Sequence, residues 1–538
     1  MKRIIALLLI ISVLLISLLG MVSCVETKPD TDGEAGETPG GDQGSGDNGE
    51  NGGDNQCGKD DCDGSNHTDA NNDDYCDECN TYVVVVVDFY VLNDLHGKFC
   101  DTDNQAGVDE LATYLKKMKA ADENAIFLAS GDMWQGTAES NLTGGNILTE
   151  WMNALDFTAM TLGNHDFDWG EKAIRENLEV AEFPFLAINV YDLSTGKLAD
   201  YCTPSVMVEC DGIQVGIIGA IGDCYSSISS DKVENVEFIV GDELAELVKE
   251  ESARLRAEGA DIIVYSLHDG HGSSSSGKKN ISNTDLKSYY TPSLSNGSVD
   301  LVFEGHTHQS YTLVDSYGVY HMQGAGENKG ISHVEMKVNT ANGENRVSVA
   351  EYLRSSVYSS LEDDADTEAL EEKYSDIIDM SYSNLGTVSR YYDDDLLEYI
   401  VAELYLEAGI EAWGDDYNIL LGGGFLKTRS PYNLSSGKTT YAMLLSLFPF
   451  DNDIVLCSVS GYKLKKQFVY TENSDYHNVY SEYGEGEKEN ISDYETYYIV
   501  VDTYTALYAP NGLTIIDYLD GGTYARDLLA EAIRNGEI

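Results

Sequence analysis

Short apolar runs recur along the first part of the sequence, and five of them lead into a polar cluster. They are rich in Val, Ile, Leu and Phe, a composition typical of buried strands. Helical patterns at 108–119 and 146–155 lie between them, and this alternation predicts a layered α/β architecture through about residue 355. The runs cover 83–92, 126–130, 159–162, 213–220, 262–267 and 301–304.

The polar clusters contain residue types that bind metal ions. They are Asn93–Gly97 (NDLHG), Gly131-Asp132, Gly163–Asp168 (GNHDFD), His268–His271 (HDGH) and Gly305–His308 (GHTH). The carboxyl ends of strands in open α/β sheets are common ligand sites. In an extended segment, side chains at i and i+2 project to the same side, which pairs Asp94 with His96 and His306 with His308. Carboxylate and imidazole donors without Cys suit Mn²⁺, Zn²⁺ or iron.

The charge of the chain restricts its partners. There are 93 acidic and 33 basic residues, giving a net charge of −60. This argues against a nucleic-acid polymer as partner, because phosphate backbones need a basic surface. An acidic enzyme can still act on a small phosphate ester when metal ions supply the local positive charge.

The ordered set of clusters resembles that of the calcineurin-like metallophosphoesterases, and in detail the 5′-nucleotidase family. The matching segments are Asn93–Gly97, Gly131–Thr137 and Gly163–Asp168. The resemblance covers about residues 83–538. It implies a layered α/β/β/α catalytic domain at 83–355, a linker helix at 356–383 and a smaller α+β substrate-binding domain at 384–538.

The resemblance also implies a centre of two divalent ions, such as zinc or manganese. One ion would be held by Asp94, His96, Asp132 and His308, and the other by Asp132, Asn164, His268 and His306. Two such ions activate water and bind the phosphoryl oxygens. His165, oriented by Asp168, would face the phosphate and stabilise charge or protonate the leaving oxygen. His271 is expected to be structural, with a role beside the ligands as the alternative.

The C-terminal domain is expected to select the substrate. By the resemblance, Phe450 would stack on a nucleobase, Asn452 would hydrogen bond to the edge of the base, and Tyr504 would lie near the second face. Arg429, after the glycine-rich segment 421–424, and Arg390 are candidates for binding phosphate. Ordinary core or surface positions are the alternative for these residues.

These features predict a phosphohydrolase acting on extracellular nucleotides, in particular nucleoside 5′-monophosphates. A nucleotide-sugar phosphodiesterase or a 2′,3′-cyclic nucleotide phosphodiesterase would use the same metal site. A surface nucleotide-binding protein without catalysis is the alternative from another class.

The first 56 residues carry targeting and spacing signals. Residues 1–24 combine a basic start, an apolar stretch and small residues ending at Cys24. This pattern resembles a bacterial lipoprotein signal peptide, so a lipid on Cys24 is expected to anchor an exported protein at the cell surface. Residues 25–56 are acidic, rich in Gly and poor in apolar side chains, which predicts a disordered tether.

Residues 57–80 form a small module rich in Cys and Asp, and its role is open. Its four cysteines, which include Cys76 and Cys79, could bind zinc together with His67. Alternating Asp69, Asn71 and Asp73 could instead bind calcium, and two disulfides are the third possibility.

Overall fold

The computed structural model describes residues 67–101, 107–271, 298–315, 317–424, 426–429, 431–466, 478–480, 491–508, 512–519 and 522–538. The expected signal peptide with Cys24, the tether, and Cys57 and Cys62 of the Cys-rich module lie outside these residues. Among the described residues, none of the helices combines the length and apolar character needed to span a bilayer.

The strands of the described residues fall into several sheets. In chain order they are β1 (Val84–Leu92), β2 (Ile126–Ser130), β3 (Ala159–Thr161), β4 (Phe185–Leu186), β5 (Val190–Asp192), β6 (Lys197–Leu198), β7 (Ser205–Cys210), β8 (Ile213–Ile221), β9 (Val236–Phe238), β10 (Ile262–His268), β11 (Leu301–Glu304), β12 (Tyr311–Val314), β13 (Tyr320–Gln323), β14 (Gly330–Asn339), β15 (Asn345–Arg354), β16 (Asn384–Val388), β17 (Tyr392–Asp393), β18 (Ile419–Gly424), β19 (Asn433–Leu434), β20 (Gly437–Thr440), β21 (Ile454–Ser460), β22 (Asn478–Tyr480), β23 (Thr496–Asp502) and β24 (Thr514–Tyr518).

The α-helices connect and cover these strands. They are α1 (Asp109–Ala121), α2 (Ala138–Leu142), α3 (Asn146–Ala154), α4 (Gly170–Val180), α5 (Gly241–Ala257), α6 (Ala365–Lys373), α7 (Ser375–Tyr382), α8 (Asp394–Trp413), α9 (Tyr441–Leu447), α10 (Gly461–Leu464), α11 (Thr503–Tyr508) and α12 (Ala525–Asn535).

Two six-stranded sheets form the N-terminal part of the fold. The first has the order β15-β14-β1-β2-β3-β4, and the second has the order β12-β13-β11-β10-β8-β7. In the first sheet β1 to β4 are parallel, whereas β14 and β15 are antiparallel to their neighbours. In the second sheet β8, β10, β11 and β13 are parallel. The parallel strands of each sheet therefore bring several carboxyl ends to one edge.

One hydrophobic core lies between the two sheets. Phe89 of β1 and Phe303 of β11 meet there, with ring centroids 6.0 Å apart. The next residue of β1, Tyr90, points to the other face, where it joins the core under α1 and α3. Leu244 and Val248 of α5 cover the outer face of the second sheet. The predicted α/β/β/α layering is confirmed.

The segment predicted as a single linker helix contains two helices, α6 and α7, so the prediction of one helix was wrong. Asp364 caps α6, because its carboxylate accepts hydrogen bonds from the N–H groups of Asp366 and Thr367. The helix ends at Tyr374, whose hydroxyl donates to Glu150 at 2.9 Å. This contact holds the break in place, and α7 then packs against α2 and α9.

Residues 384–538, called here the C-terminal region, surround a five-stranded sheet with the order β22-β18-β23-β21-β24. Helix α8 packs on one face, where Leu397 and Val401 meet Leu456 and Val500. The helix begins directly after Asp393, which caps it by accepting from the N–H of Leu396.

Candidate metal centre and substrate cavity

The seven residues expected as metal ligands converge where strands of both sheets end. The first sheet supplies Asp94, His96, Asp132 and Asn164 from the loops after β1, β2 and β3, and the second sheet supplies His268, His306 and His308 from β10 and the loop after β11. Residues distant in sequence therefore form one site at the junction of the two sheets.

One half of this site is centred on His268. Its Nε2 lies 3.1 Å from Oδ2 of Asp132 and 3.3 Å from Oδ1 of Asn164. Nδ1 of His306 lies 2.9 Å from the same amide oxygen of Asn164. A tetrahedral ion with bonds of about 2.0–2.2 Å to nitrogen and oxygen separates its ligands by distances of this order.

The other half contains Asp94, His96 and His308. Nε2 of His308 lies 3.3 Å from Oδ1 of Asp94 and 3.0 Å from Nε2 of His96. Nε2 of His96 also lies 3.9 Å from Oδ2 of Asp132. Asp132 is therefore within reach of both halves, as a carboxylate that bridges two ions must be.

In His268 and His96, hydrogen bonds to backbone carbonyls determine which ring nitrogen carries a proton. Nδ1 of His268 lies 2.7 Å from the carbonyl oxygen of Ser130, and Nδ1 of His96 lies 2.9 Å from that of Gln135. A carbonyl can only accept, so each Nδ1 donates and each neutral ring turns an Nε2 lone pair toward Asp132. Lone pairs facing a carboxylate require a cation or a proton between them. This set of nitrogen and oxygen donors fits divalent zinc or manganese.

In the absence of a cation, protons balance the charge of the site. Burial lowers the pKa of His268, but the carboxylate of Asp132 outweighs burial and raises this pKa to about 10. Burial raises the pKa of Asp132, but the imidazoles of His268 and His165 prevail and hold it well below its usual value. Burial lowers the pKa of His96 to about 4, which leaves that ring neutral and able to act as a ligand.

Several ligand residues adopt an unusual backbone conformation. A positive φ is found at Asp94 (51°), His96 (51°), Asp132 (55°), His306 (71°) and His308 (52°). Such values are uncommon outside glycine, cost roughly 1–3 kcal/mol each and concentrate at functional sites. Asp94 and His96, and likewise His306 and His308, were expected to face the same side because their segments are extended. That expectation was wrong. The pairs meet because the chain turns sharply at each ligand.

Two glycines allow the ligand loops to approach closely. A Cβ at Gly163 would lie 2.3 Å from Oδ1 of Asp132, and one at Gly131, where φ is +87°, would lie 2.3 Å from Nδ1 of His268. No side chain fits at these distances, so only glycine permits this packing.

Asp166 supports the metal site in a way that the sequence pattern does not reveal. Its buried carboxylate accepts hydrogen bonds from the backbone N–H groups of Gly163 (2.8 Å), Asp132 (3.0 Å) and Met133 (3.1 Å). It therefore joins the loops after β2 and β3. Its position inside the segment Gly163–Asp168 is the only signal in the sequence, because its partners are distant along the chain.

His165 and Asp168 form the expected pair beside the ligands. Nδ1 of His165 lies 2.8 Å from the Asp168 carboxylate, and the backbone N–H of His165 donates to Oδ1 of Asp132 at 2.7 Å. Burial lowers the pKa of His165, but the carboxylates of Asp168 and Asp132 outweigh burial and raise it to about 9. The ring lines a cavity between the metal site and the C-terminal region.

This cavity has a volume of about 430 Å³ and brings together most of the residues expected to bind substrate. Arg429, Phe450, Asn452 and Tyr504 line it together with His165. The ring of Phe450 lies against that of His165, and the Arg429 guanidinium lies 5.1 Å from the centre of the same ring.

Arg390 is not among the residues that line the cavity. Its guanidinium lies 4.7 Å from the centre of the Tyr392 ring, an interaction that accounts for its position. The structure therefore gives no support for the prediction that Arg390 binds phosphate.

A buried arginine fixes the segment 448–452 that lines the cavity with Phe450. Nothing in the sequence pattern indicates this role of the arginine. Arg526 of α12 donates to the carbonyl oxygens of Phe448 (3.3 Å) and Phe450 (3.1 Å). It also forms an ion pair with Asp451. The segment that carries Phe450 and Asn452 is therefore fixed from behind by one guanidinium.

His271 lies outside the cluster of expected ligands, in a buried network around Glu304. Its Nε2 lies 3.1 Å from Oε1 of Glu304, and Nδ1 of His321 lies 3.3 Å from the same oxygen. Burial raises the pKa of Glu304, but His271 and His321 outweigh this and lower it to about 2. Because Glu304 immediately precedes Gly305–His308, this network supports the loop that carries His306.

The comparisons with known proteins agree with this site. The family model of the calcineurin-like phosphoesterases matches residues 87–310. An apyrase of Tabanus yao is 27% identical over 420 residues, covering 70% of this chain and 72% of the relative. A 5′-nucleotidase of Vibrio cholerae is 28% identical over 227 residues, covering 40% of this chain and 39% of the relative.

The fold is similar to that of a solved 5′-nucleotidase precursor of Thermus thermophilus. The TM-score is 0.59 at 18% identity, and the match covers 84% of this chain and 96% of the other. The chain thus carries a calcineurin-like phosphoesterase domain at residues 87–310 and is a metal-dependent hydrolase of phosphoric esters.

Proposed function

We propose that this protein releases phosphate from extracellular nucleotides, in particular nucleoside 5′-monophosphates, with two divalent ions in its metal site. The observation that carries the proposal is the cavity of about 430 Å³ that joins His165 to Phe450 and Asn452. The candidate for binding phosphate, His165, and the candidates for binding the base, Phe450 and Asn452, therefore line one cavity, whose volume is typical of a small-molecule site. Relatives named apyrase and 5′-nucleotidase support a nucleotide substrate.

The residues around the phosphate would act in distinct ways. When bound, the two ions supply an activated water and positive charge for the phosphoryl oxygens. Asp168 accepts the Nδ1 proton of His165, which leaves the ring's Nε2 for the substrate. From there a protonated His165 would donate to the leaving oxygen or stabilise charge on the phosphate.

The residues that the C-terminal region contributes to the cavity would bind the nucleoside. Phe450 offers an aromatic face, and stacking of a base on such a ring contributes roughly 1–3 kcal/mol. The amide of Asn452 can both donate to and accept from a base edge. Arg429 and Lys232 also line the cavity and would favour an anionic substrate.

A substrate panel tests this proposal directly. Purified protein is stripped with a chelator, reloaded with manganese or zinc, and incubated with AMP, UDP-glucose or 2′,3′-cyclic AMP. We expect inorganic phosphate and adenosine from AMP, only with added metal. Ring opening of the cyclic nucleotide or cleavage of UDP-glucose, without AMP hydrolysis, would assign the phosphodiesterase alternatives. Nucleotide binding that survives the chelator and yields no product would favour the non-catalytic alternative.

The expected export and lipid anchoring remain part of the proposal, since Cys24 lies outside the described residues. The support is the pattern of residues 1–24. Radiolabelled palmitate should label the wild-type chain in a bacterial host and should not label Cys24→Ala. Equal labelling of the two chains would contradict the anchor.

A further inference from the structure

Three metal-binding side chains meet in the Cys-rich module, which precedes β1, whereas the first expected catalytic ligand, Asp94, follows β1. They are His67, Cys76 and Cys79, and their ligand atoms all lie within 4.8 Å of one another. Nδ1 of His67 lies 3.5 Å from Sγ of Cys79. Cys76 is 2% exposed, so the cluster is shielded from solvent on that side.

The backbone around Cys76 favours a metal-bound thiolate. The N–H groups of Glu78 and Cys79 form hydrogen bonds to the Cys76 side chain. The chain then turns at Asn80, where φ is 58°, and the Asn80 N–H donates to the Cys76 carbonyl at 2.7 Å. A thiolate is the form in which cysteine binds metals.

The alternating acidic residues are engaged in holding the loop. Oδ1 of Asp69 accepts from the N–H of Asp73 at 3.1 Å, and Oδ2 accepts from Asp74 at 3.0 Å and from the Asn339 amide at 2.7 Å. The carboxylate of Asp73 accepts from the N–H of Tyr75 at 3.1 Å. Calcium needs six to eight oxygen ligands, and these oxygens are directed at N–H donors instead.

We propose that His67, Cys76 and Cys79 bind a structural zinc ion, separate from the catalytic ions. Two thiolates and an imidazole form a soft donor set that zinc prefers and that manganese, magnesium and calcium do not. Zinc takes four ligands in structural sites, so one further ligand completes the site. The described residues place no other Cys or His side chain in this cluster.

The position of the module indicates what the ion would do. Asp74 forms an ion pair with Arg346 of β15, and Asp69 binds Asn339 at the end of β14. Cys76 packs against Val83, directly before β1. A zinc ion would therefore fix the segment that leads into the central strand of the first sheet, and would hold it against the β14–β15 hairpin.

Metal analysis of the full chain tests the proposal. Wild type, the double variant Cys76→Ser/Cys79→Ser and the control Cys457→Ser are purified and dialysed against excess manganese, and their zinc is then counted. We expect wild type and control to retain one zinc ion that the double variant lacks. Hydrolysis of p-nitrophenyl phosphate should remain unchanged in the double variant, which would show that its fold is intact. The variant Asp73→Asn should retain the zinc. This result would distinguish a zinc site from a calcium site, which would need the Asp73 carboxylate.

A second measurement needs no variant. Alkylation of Cys76 and Cys79 in the native chain, mapped by mass spectrometry, should be blocked by zinc and released by a chelator. Equal zinc in wild type and double variant would overturn the proposal. So would recovery of either thiol in a disulfide from protein purified with zinc, or loss of bound calcium in Asp73→Asn.

Discussion

The ring of Phe450 stacks on the imidazole of His165, with centroids 6.0 Å apart and an angle of 18° between the planes. One ring belongs to the C-terminal region and the other lies beside the metal ligands. Because Arg429 also lies over Phe450, a base that stacks there has to displace one of these two groups. Substrate binding should therefore move either the His165 ring or the Arg429 guanidinium away from Phe450.

Replacing Phe450 should weaken nucleotide binding more than the chemical step. Stacking of roughly 1–3 kcal/mol corresponds to an increase in KM for AMP of about 5- to 150-fold in Phe450→Ala. An aliphatic ester such as glycerol phosphate has no base, so its kcat/KM should change little. Phe450→Tyr keeps the aromatic face and should restore the KM for AMP. Equal losses on both substrates would contradict a role in base binding.

Replacing His165 should affect catalysis without removing the metals. General acid catalysis contributes roughly 10²- to 10⁴-fold, so kcat of His165→Ala on AMP should fall by about that factor. Asp168→Asn leaves the imidazole in place and should lose less. Elemental analysis should find the metal content of wild type in both variants. An unchanged kcat in His165→Ala would show that this ring takes no part in the reaction.

Asp166 offers a test of how the metal loops are held. In Asp166→Asn one side-chain oxygen is replaced by an NH₂ group, which cannot accept a hydrogen bond. If this group replaces Oδ2, the N–H groups of Asp132 and Gly163 lose their acceptor. If it replaces Oδ1, those of Met133 and Trp134 lose theirs. Loss of such supporting contacts typically lowers metal affinity about 10- to 100-fold. Titration with manganese after chelation measures the change.

The exposed residue Asp200 provides the control for that experiment. Asp200→Asn removes only a surface pair with Arg175 and should leave metal affinity unchanged. If Asp166→Asn binds manganese as tightly as Asp200→Asn, then Asp166 does not support the metal site.

Arg526 should affect substrate binding although it lies behind the cavity wall. Lysine lacks the planar fork that reaches Phe448, Phe450 and Asp451 together. Loss of charge-assisted hydrogen bonds worth roughly 1.5–3 kcal/mol should raise the KM of Arg526→Lys for AMP by about tenfold or more. Arg534→Lys, on an exposed position of the same helix, should behave as wild type. A normal KM in Arg526→Lys would show that the wall holds its shape without the guanidinium.

Asp502 should make stability depend on pH. Burial raises its pKa from 3.8 to about 6, so between these values the folded chain binds more protons than the unfolded chain. Its contribution to stability is therefore largest below pH 4 and falls as the pH rises through 6. The shift corresponds to a loss of about 3 kcal/mol at pH 7.5.

The variant Asp502→Asn removes this titration. It should exceed wild type in the free energy of unfolding by up to about 3 kcal/mol at pH 7.5, and by little at pH 4. Urea unfolding at the two pH values measures the difference. The same difference at both values would contradict a raised pKa.

The layering and the convergence of the candidate ligands could be predicted because the polar clusters lie at strand ends and together resemble a known family. Local sequence carries that information. The left-handed backbone at Asp94 and Asp132 could not be predicted, since it depends on how two sheets meet. Asp166 and Arg526 act through backbone groups of remote segments, which leave no mark on the local pattern. Arg390 has a neighbouring aromatic partner, Tyr392, that competes for its guanidinium.

The division of the metal ligands between the two sheets has a mechanical consequence. Asp94 and Asp132 belong to the edge of one sheet, and His268 and His306 to the edge of the other. A bound ion would link the edges of the two sheets, so metal loading should raise the melting temperature. Chelation should speed amide hydrogen exchange where β2 and β10 end. The ions would then stabilise the fold in addition to taking part in the reaction.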